Sequence, residues 1–234
     1  MTTDIAQMID HQVRKSRIMQ EAAKAEGRVV EPPHGPTIVI SRQLGSGGKL
    51  VAQRLAERLD FALWDKNLVD AIANDAYVSR RLVESLDEKT ISEIDLLART
   101  IAGHPEAGGF LYKRHLARAL LAISKHGNAV IVGRGANFLL PDALSVRVVA
   151  SESLRIRNLM EYEGVTEEDA RRLIRESDHE RAAFVRSVYN RDVEDLYAYD
   201  LIAVTDCFGV EGVAEIVLTA LQRRIDACWR PKKK

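Results

Sequence analysis

Cysteine is nearly absent from this 234-residue chain. Cys207 and Cys228 are its only two, and neither a CxxC pair nor a Cys/His ligand spacing surrounds them. That argues against a disulfide framework and a zinc site, and unframed thiols suit a reducing compartment. An excess of one charge is also missing. Lys+Arg and Asp+Glu both number 34, so no whole-molecule field draws the chain to nucleic acid or to a membrane, and any basic site has to be local. No apolar run approaches the length of a membrane span. The opening residues MTTDIAQMIDHQVRKSR carry charges every few positions where a signal peptide needs an apolar stretch, so a cytoplasmic location is expected. There is no internal repeat, and the terminal PKKK reads as a solvated tail.

What is present is enough apolar material, 46% against 29% charged residues, for one full domain with or without an appendage. Residues 4–26 place Ile5, Ile9, Val13 and Ala23 among charges in a four-residue rhythm, which predicts an amphipathic helix ending at Gly27. The following GRVVEPPHGP breaks any helix or central strand. It separates an N-terminal arm and linker, residues 1–36, from a domain over 37–228 and a basic tail over 229–234. The arm is expected to lay its apolar stripe on another subunit, as a homo-oligomer contact, or on the sheet domain. Within the domain, TIVIS, FALWD, AVIVG, SVRVVA and DLIAVT read as five short buried strands alternating with helices. Residues 79–126 form a mostly helical insertion broken near HPEAGG. Ser151 caps one later helix and Thr166 with Asp169 makes a capping box for the next. The alternation predicts an α/β fold with a parallel five-stranded sheet covered on both faces, a three-layer arrangement.

The chemistry begins at SRQLGSGGKL, residues 41–50. Glycines let backbone N–H groups converge on an anion, and the first turn of the next helix adds partial positive charge. A strand, a GSGG cluster and a helix in direct succession therefore read as a phosphate cradle made of Gly45, Ser46, Gly47, Gly48 and Lys49. The match to GxxxxGK[ST] is imperfect in either register. Anchored on Gly48-Lys49, the first glycine has become Gln43 and the hydroxyl residue Leu50. Anchored on Gly45-Ser46-Gly47, Gly48 stands in the lysine slot and Lys49 in the hydroxyl slot. Both lose the hydroxyl that holds magnesium, which the cation can tolerate because it keeps several waters. Lys49 is otherwise an ordinary first-turn residue facing solvent.

SRQLGSGGKLVAQRLAERL, the aspartate of FALWDKNLVDAIA, AVIVGRGANFLLPDALSVRVVAS and YAYDLIAVTD together resemble the cytidylate-kinase-like family of P-loop proteins over about residues 37–224. The resemblance implies a P-loop nucleoside-monophosphate kinase fold, ATP and Mg2+ as the donor system, a CMP-type monophosphate acceptor and an arginine-rich lid, here residues 166–198. It also implies that Asp65, ending the second strand, lies close to the acceptor nucleotide, with a helix N-cap as its bland alternative. Arg134 matches the arginine of a GRD motif that contacts the acceptor monophosphate. Typical DGRD carries acids where this chain has Val132 and Gly135, so two carboxylates near the metal and acceptor are missing.

Between strands four and five stand Arg175, Arg181, Arg186 and Arg191, where phosphoryl transfer needs cations that approach the transferred group. Planar guanidinium forks suit phosphate oxygens, and Asp178 stands near the position of a lid aspartate in the relatives. The alternative is a charged helix whose arginines pair with Glu176, Asp178 and Glu180 at helical spacing. Arg155 and Arg157 after strand four are lesser candidates, as are Tyr112, Lys113, Arg114 and His115 in the insertion. Trp64 and Phe61 read as core residues, and Trp229 lies in the basic tail. Two functions are therefore open. One is an ATP-dependent kinase with Lys49, Arg134, Arg181 and Arg186 as its catalytic cations. The other is a nucleotide-binding regulator or scaffold that has lost phosphoryl transfer.

Overall fold

The β-branched runs form strands β1 (Thr37–Arg42), β2 (Ala62–Trp64), β3 (Ala129–Val132), β4 (Leu144–Val149) and β5 (Leu201–Val204). They make one sheet in the order β2-β3-β1-β4-β5, and every pair is parallel. The computed structural model describes residues 2–25, 35–74, 82–84, 86–103 and 109–228. Most of the Pro-rich linker, the break near HPEAGG up to residue 108, Trp229 and the lysine tail lie outside the described residues.

The strands lack polar alternation because both faces are covered. Ile38 and Ile40 of β1 and Val130 and Val132 of β3 face one layer, with Val51 and Leu55 of α2 (Gly48–Leu59) and Val213 and Val217 near the chain's end. Val39 and Ile131 point the other way, onto α3 (Lys66–Asn74), α4 (Glu88–Ala102) and α5 (Phe110–His126). Most of the helical insertion read from the sequence is thus a layer of the domain itself, with Leu116, Leu120 and Ile123 of α5 buried against the sheet.

The N-terminal helix α1 (Thr2–Ala25) packs on this same layer. Ile9 and Gln12 are each 2% exposed. The Gln12 amide donates to the carbonyls of Ile123 (3.3 Å) and Gly127 (2.7 Å) and accepts from the Trp64 indole N–H at 3.1 Å. The arm therefore docks on the sheet domain through a buried polar key that periodicity alone does not reveal. Trp64 is fully buried, as expected of a core residue.

Downstream, α6 (Glu152–Glu163) and α7 (Glu167–Tyr189) follow β4. Ser151 accepts the Leu154 N–H at 3.3 Å, and Thr166 accepts the Asp169 N–H at 3.2 Å, so both expected caps form. The last helix, α8 (Thr205–Cys228), is broken at Gly209 (φ 60°), which makes its long regular part begin near Val210.

Candidate functional site

Strand β1 lies between β3 and β4, and the chain passes from β3 to β4 across it, so the carboxyl end of β1 is the switch point where open α/β sheets form a crevice. The glycine loop starts there. Gln43, which replaces the first glycine of the usual motif, fastens the loop to β4: its backbone N–H donates to the Val148 carbonyl (3.1 Å) and its side-chain oxygen accepts from the Ala150 N–H (3.2 Å). Gly45 and Gly47 have φ near +78° and +77°, the left-handed region that glycine occupies at no steric cost. A Cβ at Gly45 would also collide with the backbone of Arg155. The Ser46 hydroxyl is fully buried and turned inward, toward the carbonyls of Gln43 (2.9 Å) and Val148 (3.1 Å).

The loop's carbonyls are engaged from behind. Arg155 Nε donates to the Leu44 carbonyl (2.7 Å), Asn158 to Gly45 (2.8 Å) and the Thr205 hydroxyl to Ser46 (2.9 Å). Its amides are not: the N–H groups of Gly47, Gly48, Lys49 and Leu50 have no acceptor among the described residues. Orphan amides on the first turn of a 12-residue helix are the arrangement that attracts a phosphate. Lys49 is exposed on that turn and makes no ion pair among the described residues.

Beside the loop lies a cleft of about 320 Å³, bounded by the ends of β1 and β3, by β4, by α7 and by the segment after it. Five cations line it: Arg42, Lys66, Arg134, Arg147 and Arg181. Two of the arginines are matched by carboxylates. Arg134 pairs with Asp70 of α3, which also accepts from the Tyr112 hydroxyl (3.0 Å), and its guanidinium lies 4.7 Å from the centre of the Phe184 ring. Arg147, 5% exposed within β4, pairs with Glu194, donates to the Ser41 hydroxyl (3.1 Å) and lies 5.5 Å over the Tyr199 ring. Arg42 and Arg181 form no ion pair among the described residues. Arg181 donates instead to the Arg42 main-chain carbonyl at 2.7 Å. Burial, with Arg181 and Arg134 close by, pushes the Arg42 guanidinium down to about 10, and only Asp65 opposes this. Burial likewise depresses Arg181; Asp178 partly offsets this, while Arg155 and Arg147 add to it.

The sequence-derived candidates divide accordingly. Arg134, Asp178 and Arg181 come together on the cleft, whereas Arg175, Arg186 and Arg191 are exposed and do not line it. Asp178 does not pair along its own helix. Both its oxygens accept from Arg155 at 2.8 Å, and Arg155 thereby clamps α7 to the glycine loop. Asp65 caps α3, accepting the N–H groups of Asn67 (2.9 Å) and Leu68 (3.0 Å), and its charge acts on Arg42. Arg157 is exposed. Tyr112 binds Asp70 while burial pushes its hydroxyl up to about 12, and Lys113 donates to the Ser187 carbonyl at 2.6 Å. Burial and the neighbouring Arg114 and Arg118 depress His115.

Sequence reasoning missed Arg42, Asp70, Arg147 and Glu194. Arg147 carried a signal, a cation inside an apolar parallel strand. Asp70 carried none, since an acid on an amphipathic helix is ordinary. The GRG turn after β3 also gains a reason: Gly133, Arg134 and Gly135 all have positive φ (82°, 53° and 62°). A Cβ at Gly135 would strike the Tyr189 ring, whose hydroxyl donates to the Arg134 carbonyl at 2.8 Å. The acid of the related motif has no room at that position in this packing.

A family model described as "Cytidylate kinase-like family" matches residues 37–206, the stretch from β1 to the start of α8. The cytidylate kinase of Pyrococcus horikoshii is 32% identical over 119 residues, 50% of this chain and 59% of that protein. This alignment therefore spans less than two thirds of that enzyme's length. The cytidylate kinase of Pyrococcus furiosus is 28% identical over 185 residues, covering 79% of this chain and 87% of the relative. Among solved structures, an uncharacterized protein from Eubacterium ventriosum superposes with a TM-score of 0.57 at 24% identity, over 80% of this chain and 98% of the other, a likeness of fold. From the first strand of the sheet to the helix that follows its last, the chain belongs to the cytidylate kinase-like family.

Proposed function

We propose that this protein transfers the terminal phosphoryl group of a nucleoside triphosphate to a nucleoside monophosphate, with ATP as donor and CMP as acceptor, the latter following the name shared by its relatives. One observation carries the reading: Arg42 and Arg181 face a cleft at the switch point of a parallel sheet, and no carboxylate among the described residues pairs with either. Partly buried cations without partners are costly unless an anion completes them. In this reading the free amides of residues 47–50 hold donor phosphates, and Arg134 with Asp65 orients the acceptor. Arg181 offsets charge on the group in transfer, while Arg175, Arg186 and Arg191 are lid cations that reach the nucleotide only if α7 and the segment after it move. The bond between the donor's terminal phosphorus and its bridging oxygen breaks as the acceptor's phosphate oxygen bonds to that phosphorus. Such chemistry needs positioning and electrostatics more than covalent participation.

The chain's own donors do not fit a resident magnesium site. Ser46 is turned inward, Leu50 has no hydroxyl, and no group of three or more His, Cys, Asp or Glu that could hold a metal exists among the described residues. Magnesium is therefore assigned no protein ligand, and an ion arriving with donor phosphates would keep mostly phosphate and water oxygens. The same observation favours a second reading, a regulator that binds nucleotide without turnover.

A coupled phosphoryl-transfer assay with ATP, magnesium and each common nucleoside monophosphate, run beside ATP calorimetry, separates the two. Turnover that is fastest with CMP is expected. Tight ATP binding with no turnover on any monophosphate would replace the kinase by the regulator.

A further inference from the structure

We propose that Arg42 is the principal phosphate-binding side chain of the cleft, and that with Arg181 it selects ligands carrying a dianionic phosphomonoester. The inference deepens the kinase reading and rests on it only for the nucleotide part of the ligand.

Two glycines make room for the Arg42 side chain along its length. A Cβ at Gly48, where α2 begins, would lie 2.5 Å from Arg42 Cβ, and one at Gly133 would strike its guanidinium. The turns after β1 and β3 are thus both shaped around this one side chain. Three of the neighbouring arginines hold carboxylates: Arg134 pairs with Asp70 although its Nε has no hydrogen-bond partner among the described residues, Arg147 pairs with Glu194, and Arg155 binds Asp178 and the Leu44 carbonyl. Arg181 is tied by one N–H to the Arg42 carbonyl, which fixes the second cation beside the first. Of the carboxylates lining the cleft, Asp178 and Glu194 are already bound, and Glu180 is exposed. Lys49 does not line the cleft. Burial, and after it repulsion from Arg181 and Arg134, make the Arg42 charge costly, and two adjacent cations are best balanced by a doubly charged group.

The test is calorimetry on the full chain with inorganic phosphate, dimethyl phosphate and CMP, using wild type, Arg42→Met and Lys49→Met. Arg42→Met is expected to weaken phosphate and CMP by about tenfold or more, since a desolvated cation–anion contact is removed, and Lys49→Met by less than about threefold. Wild type should bind dimethyl phosphate, a monoanion, about tenfold more weakly than phosphate. Equal affinity of Arg42→Met and wild type, a larger loss in Lys49→Met, or no discrimination between the two anions overturns the proposal. If Arg42→Met does not fold, Arg42→Gln decides on the same criteria. Arg42-dependent phosphate binding without turnover on any monophosphate rejects the kinase reading and keeps this one. Turnover in wild type with phosphate affinity unchanged in Arg42→Met does the reverse.

Discussion

Replacing Arg42 by methionine should make the ligand-free protein more stable while weakening its phosphate affinity. The guanidinium is pushed well below its ordinary value, to about 10, first by burial and then by Arg181 and Arg134. At roughly 1.4 kcal/mol per pH unit, that is about 3 kcal/mol against holding the charge there. The sign follows from linkage. A base whose value is lower in the folded state than in the unfolded chain destabilises fully at every pH below its folded value, here about 10, and the cost fades only as pH rises from there toward the ordinary arginine value. At neutral pH the whole term is present, because arginine does not shed its proton. Methionine keeps the unbranched stem between Gly48 and Gly133 and drops the charge, and Arg42 forms no ion pair among the described residues that would be lost. Solvent and ions in the open cleft screen part of the cost, leaving on the order of 1–2 kcal/mol, or a Tm rise of about 3–6 °C for a chain of this size. The measurement is thermal unfolding in low-salt buffer free of phosphate and sulfate. Adding millimolar phosphate should raise the Tm of wild type by more than that of the variant, whose phosphate affinity is about tenfold or more weaker. A variant Tm at or below that of wild type under low salt would refute the argument that Arg42 is an uncompensated charge.

Two further predictions concern the scaffold. Gln12→Ala strips hydrogen-bond partners from the Trp64 indole and from the Ile123 and Gly127 carbonyls. It should cost about 2–3 kcal/mol in urea unfolding, and a loss below about 0.5 would mean that the arm is not docked in solution. His126 is held neutral by burial, which depresses its pKa although the Leu82 carbonyl lies 2.9 Å from its ring nitrogen. Its native state takes up fewer protons than the unfolded chain, so stability should fall as pH drops through the ordinary histidine range near 6.5, and His126→Gln should flatten that slope in unfolding measured from pH 5 to 8.

The sheet and its helices were legible because each strand is a short apolar run too brief for a helix and each following helix carries its own cap or glycine. Asp65 at the end of FALWD and the Ser151 and Thr166 caps are local features, fixed by residues within three positions, and local spacing is what a sequence displays. The lid was less legible. Arginines at 175, 181, 186 and 191 look alike in sequence, yet of these four Arg181 alone lines the cleft, since helical phase on α7 turns it toward the Arg42 carbonyl while Arg191 lies beyond the end of that helix.

By itself, then, the sequence determined the alternating α/β plan, the glycine loop at the head of α2 and the family to which these belong, all properties of residues near one another along the chain. Tertiary structure alone decided how the charges are shared. Asp70 neutralises Arg134 across 64 residues, Glu194 neutralises Arg147 across 47, and Arg155 locks Asp178 across 23. Which cations remain free is set by these long-range pairings. Arg42, at the end of β1, is left facing the cleft with Arg181 because folding commits Arg134, Arg147 and Arg155 to carboxylates.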